Sequence, residues 1–375
     1  MRRRATPSTW RQDNVAERVV VAMSGGVDSS VSAALLHEQG YEVIGVTMKL
    51  WDGPETATAH HKTCCTLDDV SDARRVAASL GIPFYVVNFK AQFAQHVIDY
   101  FVDTYRQGAT PNPCVQCNRY LKFTALLQRA QQLGARWVAT GHYAAVWQDD
   151  GGRYYIRRGR DARKDQSYFL FDLSQEQLRH TLLPLGEYDK EEVRQVAVRL
   201  GLKVAEKPES QEICFIPDGD YRSFVRPRLT PAAAQPGRMV NTAGATVGTH
   251  QGLPFYTVGQ RRGLGVAAAE PLYVTRLDPA HNTVVVGPRH AALSATFSVE
   301  RVNWMCQPAA QTVRATVQIR YRHQPVAADI HPLAPDRAHV VLHEPQFAVT
   351  PGQAAVFYDG DTVVGGGWIT RSTPE

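Results

Sequence analysis

The stretch from Val19 to Leu36, VVVAMSGGVDSSVSAALL, decides the fold. Three β-branched residues lead into a glycine pair, and a helix-forming run follows, which reads as strand, tight turn and helix. Turns of this kind that hold nucleoside triphosphates usually carry G-x-x-x-x-G-K-[ST], whose Lys reaches the β and γ phosphates. This one has no Lys. Gly25 and Gly26 let successive amides face one concavity, and Ser24, Ser29 and Ser30 add hydroxyls. The following helix aims its partial positive end at the same spot. An anion pocket without that Lys suits pyrophosphate as a leaving group, with Asp28 available for Mg2+. The implied chemistry is adenylation, in which an acceptor oxygen takes AMP. A glycine turn ahead of an ordinary helix is the competing reading, and S-G-G-x-D-S-S between a strand and a helix weighs against it.

Outward from this loop, apolar runs at 18–23, 42–48, 84–89 and 136–140 are short and rich in β-branched residues, as buried parallel strands are. Helical patterns at 27–39, 67–80 and 118–133 lie between them, each ending at a glycine. The pattern predicts a doubly wound α/β domain with ligands at the carboxyl ends of its strands. Loops rich in Pro, Gly and charge follow at 108–117 and 159–166, then a helix at 190–200 and the segment EKPESQEICFIPDGDY. Beyond about Gly219 the texture changes. LTPAAAQPGRM reads as a connection and THQGLPFYTVGQRRGLGV as short strands with tight turns. From about Arg301, VRATVQIRY alternates with period two and AVFYDGDTVV carries a D-G hairpin signal, so a small antiparallel barrel or sandwich is expected. The expected divisions are a basic tail at 1–17, a nucleotide-binding catalytic domain at 18–218, a central β-rich linker domain at 219–289 and a barrel at 290–375.

The 375 residues carry a formal net charge of +5, which tolerates a polyanionic partner without demanding one. No run approaches the roughly eighteen apolar residues of a membrane span, and the basic N-terminal stretch has no apolar core of the signal-peptide kind. A cytosolic setting is expected. There, six cysteines point to catalysis, redox work or metal rather than to a disulfide framework. Cys117, in TPNPCVQCNRYLKF, falls near an expected helix start with Arg119 and Lys122 close by, a setting that lowers a thiol pKa. Cys214, in ESQEICFIPDG, is its distant partner. One nucleophile and one carrier are what persulfide transfer requires. HHKTCC at His60–Cys65 lacks the usual zinc-ligand spacing, and Cys306 reads as packing.

The opening loop resembles those of the PP-loop ATP pyrophosphatase superfamily. A closer resemblance follows from AMSGGVDSSVSAALL, VTMKLWD, VNFKAQF, GATPNPCVQCNRYLKF, ATGHYA, RKDQSYFL, SQEICFIPDGDY, YTVGQRRGLG and QIRYR, which occur in the order found in bacterial tRNA-specific 2-thiouridylases. It covers nearly the whole chain after about Arg18. The resemblance implies an ATP-dependent enzyme that replaces the C2 oxygen of the wobble uridine with sulfur. By it, Cys117 is the nucleophile and Cys214 the persulfide-bearing residue. Ala22, Met23, Ser24, Gly25, Gly26, Val27, Asp28, Ser29, Ser30, Met48 and Gly141 line the ATP site. Asn112, Pro113 and Cys114 approach the target base, while Lys164, Asp165, Gln166, Arg320 and Tyr321 contact tRNA. The implied partners are tRNAs for Lys, Glu and Gln and a sulfur donor such as a cysteine desulfurase or a sulfur-relay protein, with neither membrane nor DNA among them.

One departure stands out. Many members of that family have an acidic residue where this chain has Cys114, which makes a C-x-x-C with Cys117. With Cys214 it offers three thiolates, enough for an iron-sulfur cluster, and that alternative ranks below the persulfide reading. A small-molecule amide synthetase shares the loop but needs no Cys117 or Cys214. A non-catalytic RNA-binding module would leave the nucleotide loop without a use.

Overall fold

The computed structural model describes residues 16–51, 67–205, 207, 213–216, 218–308 and 311–370. The basic tail up to residue 15 and the His60–Cys65 segment lie outside them.

Strands β1 (Arg18–Ala22), β2 (Glu42–Lys49), β3 (Phe84–Asn88) and β4 (Trp137–Ala139) form where the apolar runs predict them. A hairpin of β5 (Ala144–Gln148) and β6 (Tyr154–Arg158) leaves this sheet, and a short strand, β7 (Thr181–Leu182), returns to its edge. The sheet is parallel, in the order β3-β2-β1-β4-β7. The chain therefore winds outward on one side of β1 and resumes on the other, which places a switch point at the carboxyl end of β1.

Both faces of β1 are covered, so its residues sort with period two. Val19 and Val21 pack with Val31 and Leu35 of helix α1 (Val27–Glu38), Ala73 of α2 (Leu67–Leu80) and Val193 of the helix Lys190–Arg199. Val20 and Ala22 face the other way, onto Phe93, Phe101 and Leu121. Burying each such valine is worth about 1.5–3 kcal/mol.

The second face is built by two helical runs. The first, 90–106, has no counterpart in the expected elements; its buried Phe93, Val97, Phe101 and Tyr105 recur at every fourth position. The second spans 113–132 and starts five residues earlier than the pattern predicts, because Pro113 occupies the first helical position, where a missing N–H costs nothing. Cys114 and Cys117 thereby lie on one helix, a turn apart.

The central part is a four-stranded sheet of β8 (Gly237–Asn241), β9 (Thr246–His250), β10 (Tyr273–Asp278) and β11 (Thr283–Gly287), in the order β10-β11-β8-β9. Of THQGLPFYTVGQRRGLGV, expected to form short strands, only Thr249 and His250, the end of β9, lie in a strand. Gly252, Gly259, Gly263 and Gly265 all take positive φ and interrupt any extension. Strands β12 (Leu293–Trp304), β13 (Val313–Gln318), β14 (Val326–Ala334), β15 (Arg337–Phe347), β16 (Ala354–Asp359) and β17 (Thr362–Ile369) follow. They run β12-β15-β14-β13-β16-β17, and β12 pairs back onto β17, so the sheet closes into a barrel around Phe297, Val317, Ile330, Val340 and Phe357. Strand β17 also pairs with β6, so the β5–β6 hairpin of the first domain continues the barrel sheet.

Candidate active site

Gly25 takes φ +75°, and a Cβ there would fall 2.3 Å from the Asp69 carbonyl oxygen, so the turn admits no side chain. Gly26 caps α1 without a side-chain bond, which leaves the amides of the first turn facing the loop. The serines divide their work. Ser29 and Ser30 are buried and donate to the Gly26 carbonyl at 3.1 and 2.9 Å, while Ser29 Oγ also accepts from the Ser24 amide at 3.1 Å. They brace the turn instead of adding hydroxyls to the pocket, and only Ser24 is exposed.

Two lysines from a later segment reach the loop. Lys190 Nζ donates to Asp28 Oδ1 at 2.7 Å, and Tyr143 Oη donates to the same oxygen at 2.7 Å. Lys207 Nζ reaches the Gly25 carbonyl at 3.1 Å, Asp69 Oδ1 at 2.7 Å and Asp72 Oδ2 at 2.5 Å. Neither lysine was assigned a role from the sequence, because each lies more than 150 positions from the glycines it serves. The helix bearing Lys190 begins with a full capping box, Asp189 and Glu192, which fixes the direction in which Lys190 leaves it.

Ala22 and Met23 end β1, Met48 lies near the end of β2, and Gly141 follows β4, so the expected ATP-site residues meet along one edge of the sheet. Gly141 is pressed on the loop: a Cβ there would sit 2.8 Å from Asp28 C and Ser29 N. The next residue, His142, is buried between Thr140 Oγ1 at 2.7 Å and Lys122 Nζ at 3.4 Å. Burial, with the charge of Lys122 added, holds its pKa well below the ordinary value. A lysine only donates, so Nε2 accepts from Lys122 and the ring proton sits on Nδ1, toward Thr140. His142 was not singled out from the sequence, although Thr140 and His142 flank Gly141 in ATGHYA, whereas Lys122 was expected beside Cys117.

Cys117 and Cys214 pack against the same apolar cluster, the one that contains Ala22 and is also touched by Met48 and Trp51. Both are half-buried and neither is in a disulfide. Arg119, expected near Cys117, is committed elsewhere: its guanidinium bonds Asp172 Oδ1 at 2.6 Å and lies over the Tyr120 ring. Lys122 is the cation whose charge reaches Cys114. Although Cys114 keeps an exposed surface, the protein packed around its thiol pushes the pKa up, and Lys122 pulls it partly back. Among the described residues, no three His, Cys, Asp or Glu side chains converge as metal ligands, so geometry lends no support to a cluster held by Cys114, Cys117 and Cys214.

The residues expected to meet the base and the tRNA fall into two groups. Cys114 is exposed, whereas Asn112 and Pro113 are buried. The backbone just before them is gripped by the barrel: Thr110 N donates to the Pro351 carbonyl at 2.8 Å, and Gln353 Nε2 donates to the carbonyls of Thr110 and Pro111 at 3.1 and 2.9 Å. Arg320 is exposed, Lys164 half-buried, and Tyr321 packs on Phe169 with ring centroids 4.4 Å apart. Asp165 faces inward. It pairs with Arg158 at 2.7 Å and accepts from the Gly159 and Ser167 amides, each at 3.1 Å, so it shapes the loop. Gln166 Oε1 accepts from the Tyr143 amide at 3.0 Å, tying the same loop to the residue that holds Asp28.

A parallel sheet with a lysine-free glycine loop at its switch point defines an ATP-using protein of the PP-loop kind. Family models match the chain as the tRNA methyl transferase HUP domain over residues 17–218, the tRNA methyl transferase PRC-barrel domain over 222–288 and the aminomethyltransferase beta-barrel domain over 294–369. The chain is 54% identical over 364 residues to the tRNA-specific 2-thiouridylase MnmA of Geotalea uraniireducens, covering 96% of this chain and 97% of that one. It is 52% identical over 354 residues to the protein of the same name from Magnetococcus marinus, covering 94% and 99%. The counterpart from Moorella thermoacetica is 53% identical over 354 residues, covering 93% and 98%. The chain belongs to the tRNA-specific 2-thiouridylase family.

Proposed function

We propose that this chain activates the C2 carbonyl oxygen of the wobble uridine, position 34 of tRNA, with ATP and replaces it with sulfur. Formation of 2-thiouridine in tRNA is the activity of the family, and ATP use goes with its PP-loop. The observation that carries the finer reading is the meeting of Cys117, Cys214 and Met48 on one apolar cluster that includes Ala22 of the nucleotide edge. Both thiols and the nucleotide edge then border the same face of the sheet.

In this reading the pyrophosphate end of ATP lies in the Ser24–Ser30 loop and the base lies at Cys114. An anticodon loop presents unstacked bases, so the base reaches the site at low cost. The C2 oxygen attacks the α phosphate, pyrophosphate leaves, and the base is adenylated. The outer sulfur of a Cys214 persulfide attacks C2 and AMP departs with the oxygen. The Cys117 thiolate then attacks the Cys214 sulfur, leaving sulfur on C2 and a Cys117–Cys214 disulfide for a dithiol to reduce. Attack by Cys117 first, freeing hydrosulfide, gives the same product. Asp28 is the residue that would hold Mg2+, an ion that takes one or two carboxylates and completes its shell with phosphates and water. When bound, Mg2+ offsets charge on the departing pyrophosphate. Arg320, Lys164 and the barrel face around Tyr321 would hold the tRNA, with Asp165 and Gln166 setting the loop between them. The expected substrates are the tRNAs for Lys, Glu and Gln, in the cytosol, with sulfur delivered by a donor protein.

The test is ATP cleavage to AMP and pyrophosphate with and without unmodified tRNA. Turnover that requires tRNA supports the reading. Turnover independent of RNA would indicate a small-molecule synthetase, and none under either condition a binding module.

A further inference from the structure

We infer that Cys114 is a resolving thiol, which takes Cys117 out of the Cys117–Cys214 disulfide and frees Cys214 for its next sulfur. The inference deepens the proposed function, since it rests on that disulfide being what each thiolation leaves behind. Cys114 and Cys117 lie three positions apart on the helical run that starts at Pro113, so their side chains leave the same face. Cys117 keeps helical angles, φ −60° and ψ −44°, where the run continues past it. Helical geometry puts the two Cα atoms about 5 Å apart, inside the roughly 4.4–6.8 Å that a disulfide spans. The three thiols differ in access. Cys117 and Cys214 are half-buried and pack against the apolar cluster of Phe93, Phe101 and Leu121, whereas Cys114 is exposed. A disulfide between the first two offers little sulfur to an external dithiol, while one that includes Cys114 offers a sulfur at the surface.

The Cys114 thiolate, its proton given up to solvent, attacks Cys117 Sγ. A Cys114–Cys117 bond forms as the Cys117–Cys214 bond breaks, and the electron pair leaves on Cys214 as thiolate, so the exchange oxidises nothing overall. An external dithiol then attacks Cys114 Sγ, becomes a disulfide itself, and returns Cys114 and Cys117 to thiols. Cys214 accepts its next persulfide sulfur without waiting for that reduction. The protein packed around the Cys114 thiol disfavours its thiolate, and the charge of Lys122 offsets part of this.

The experiment equilibrates the full chain in mixtures of reduced and oxidised glutathione, quenches with acid, alkylates the free thiols and assigns the disulfides by peptide mass spectrometry. In the wild type the Cys114–Cys117 disulfide is expected to predominate, with Cys214 alkylated. In Cys114→Ser the Cys117–Cys214 disulfide is expected in its place. Reduction of both oxidised proteins by dithiothreitol is then timed, and the variant is expected to be slower by about tenfold or more, because its bridged sulfurs are less accessible. The inference falls if the oxidised wild type holds Cys117–Cys214, or any other pairing, in place of Cys114–Cys117. It falls also if the two proteins are reduced at the same rate. A Cys114→Ser protein that forms no Cys117–Cys214 disulfide would overturn the cysteine route of the proposed function and the inference with it. No ATP or tRNA enters these measurements, so a chain that shows the Cys114–Cys117 disulfide and the faster reduction but forms no 2-thiouridine would overturn the proposed function and leave Cys114 as the resolving thiol.

Discussion

His142 and Cys117 carry the sharpest expectations at the scale of single residues. His142 is held neutral inside the protein, while in the unfolded chain a histidine takes up a proton near pH 6.5. The unfolded state thus binds more protons below that pH, and stability rises with pH there. The contribution is fully present above about pH 6.5 and is lost at up to about 1.4 kcal/mol per unit as pH falls toward the folded pKa. Denaturant melts of the wild type and His142→Asn between pH 7.5 and 5 should differ in slope only in the acid half; parallel curves would mean that His142 is not held neutral. For Cys117, replacement by Ser is expected to abolish thiolation, a drop of about 1,000-fold or more, and to leave ATP binding unchanged. A Cys117→Ser protein that thiolates at the normal rate would remove both orders of sulfur transfer.

At the scale of elements, the site depends on how closely turns and helix starts approach one another. Gly141→Ala would drive a Cβ into Asp28 and Ser29. Displacing the first turn of α1 costs about 1–3 kcal/mol of the overpacking kind, so a nucleotide-binding loss of about tenfold or more is expected from calorimetry with ATP. Asp189→Ala removes the cap from the helix that carries Lys190 and should lower stability by about 1 kcal/mol in urea. The strand runs and the loop were legible because β-branched stretches stop at glycines, and each glycine has a physical job. The helical run 90–106 was not read, although Phe93, Val97, Phe101 and Tyr105 repeat every four residues. Phe89 opens it without a capping side chain, so nothing marks where strand ends and helix begins. The early start of the next run at Pro113 was readable in principle from Pro at a first helical position. It changes the chemistry, since Cys117 lies in the second turn, beyond the strongest reach of the helix end.

At the scale of the whole molecule, the barrel holds the base-side loop as well as presenting Arg320. Gln353 and Pro351 grip Thr110 and Pro111, and β17 pairs with the β5–β6 hairpin of the first domain. None of this was visible in the sequence, because local patterns predict elements and say little about contacts across more than two hundred positions. Lys190 and Lys207 escaped for a like reason, since Asp28 lies 162 positions from the first and Gly25 lies 182 from the second. Gln353→Ala should therefore lower the single-turnover thiolation rate about tenfold while ATP affinity stays within about twofold. An equal loss in both would mean that the barrel acts through general stability.

The central claim is that this chain adenylates a tRNA uridine and exchanges its oxygen for cysteine-borne sulfur. The most direct measurement is nucleoside mass spectrometry of unmodified tRNA incubated with the protein, Mg·ATP, a cysteine desulfurase with cysteine as persulfide-sulfur donor and a dithiol reductant, in air and under strict anaerobiosis, beside Cys117→Ser. The account predicts 2-thiouridine in both atmospheres with the wild type and none with the variant. Product only without oxygen and with bound iron, or no product while ATP is still cleaved, would contradict it.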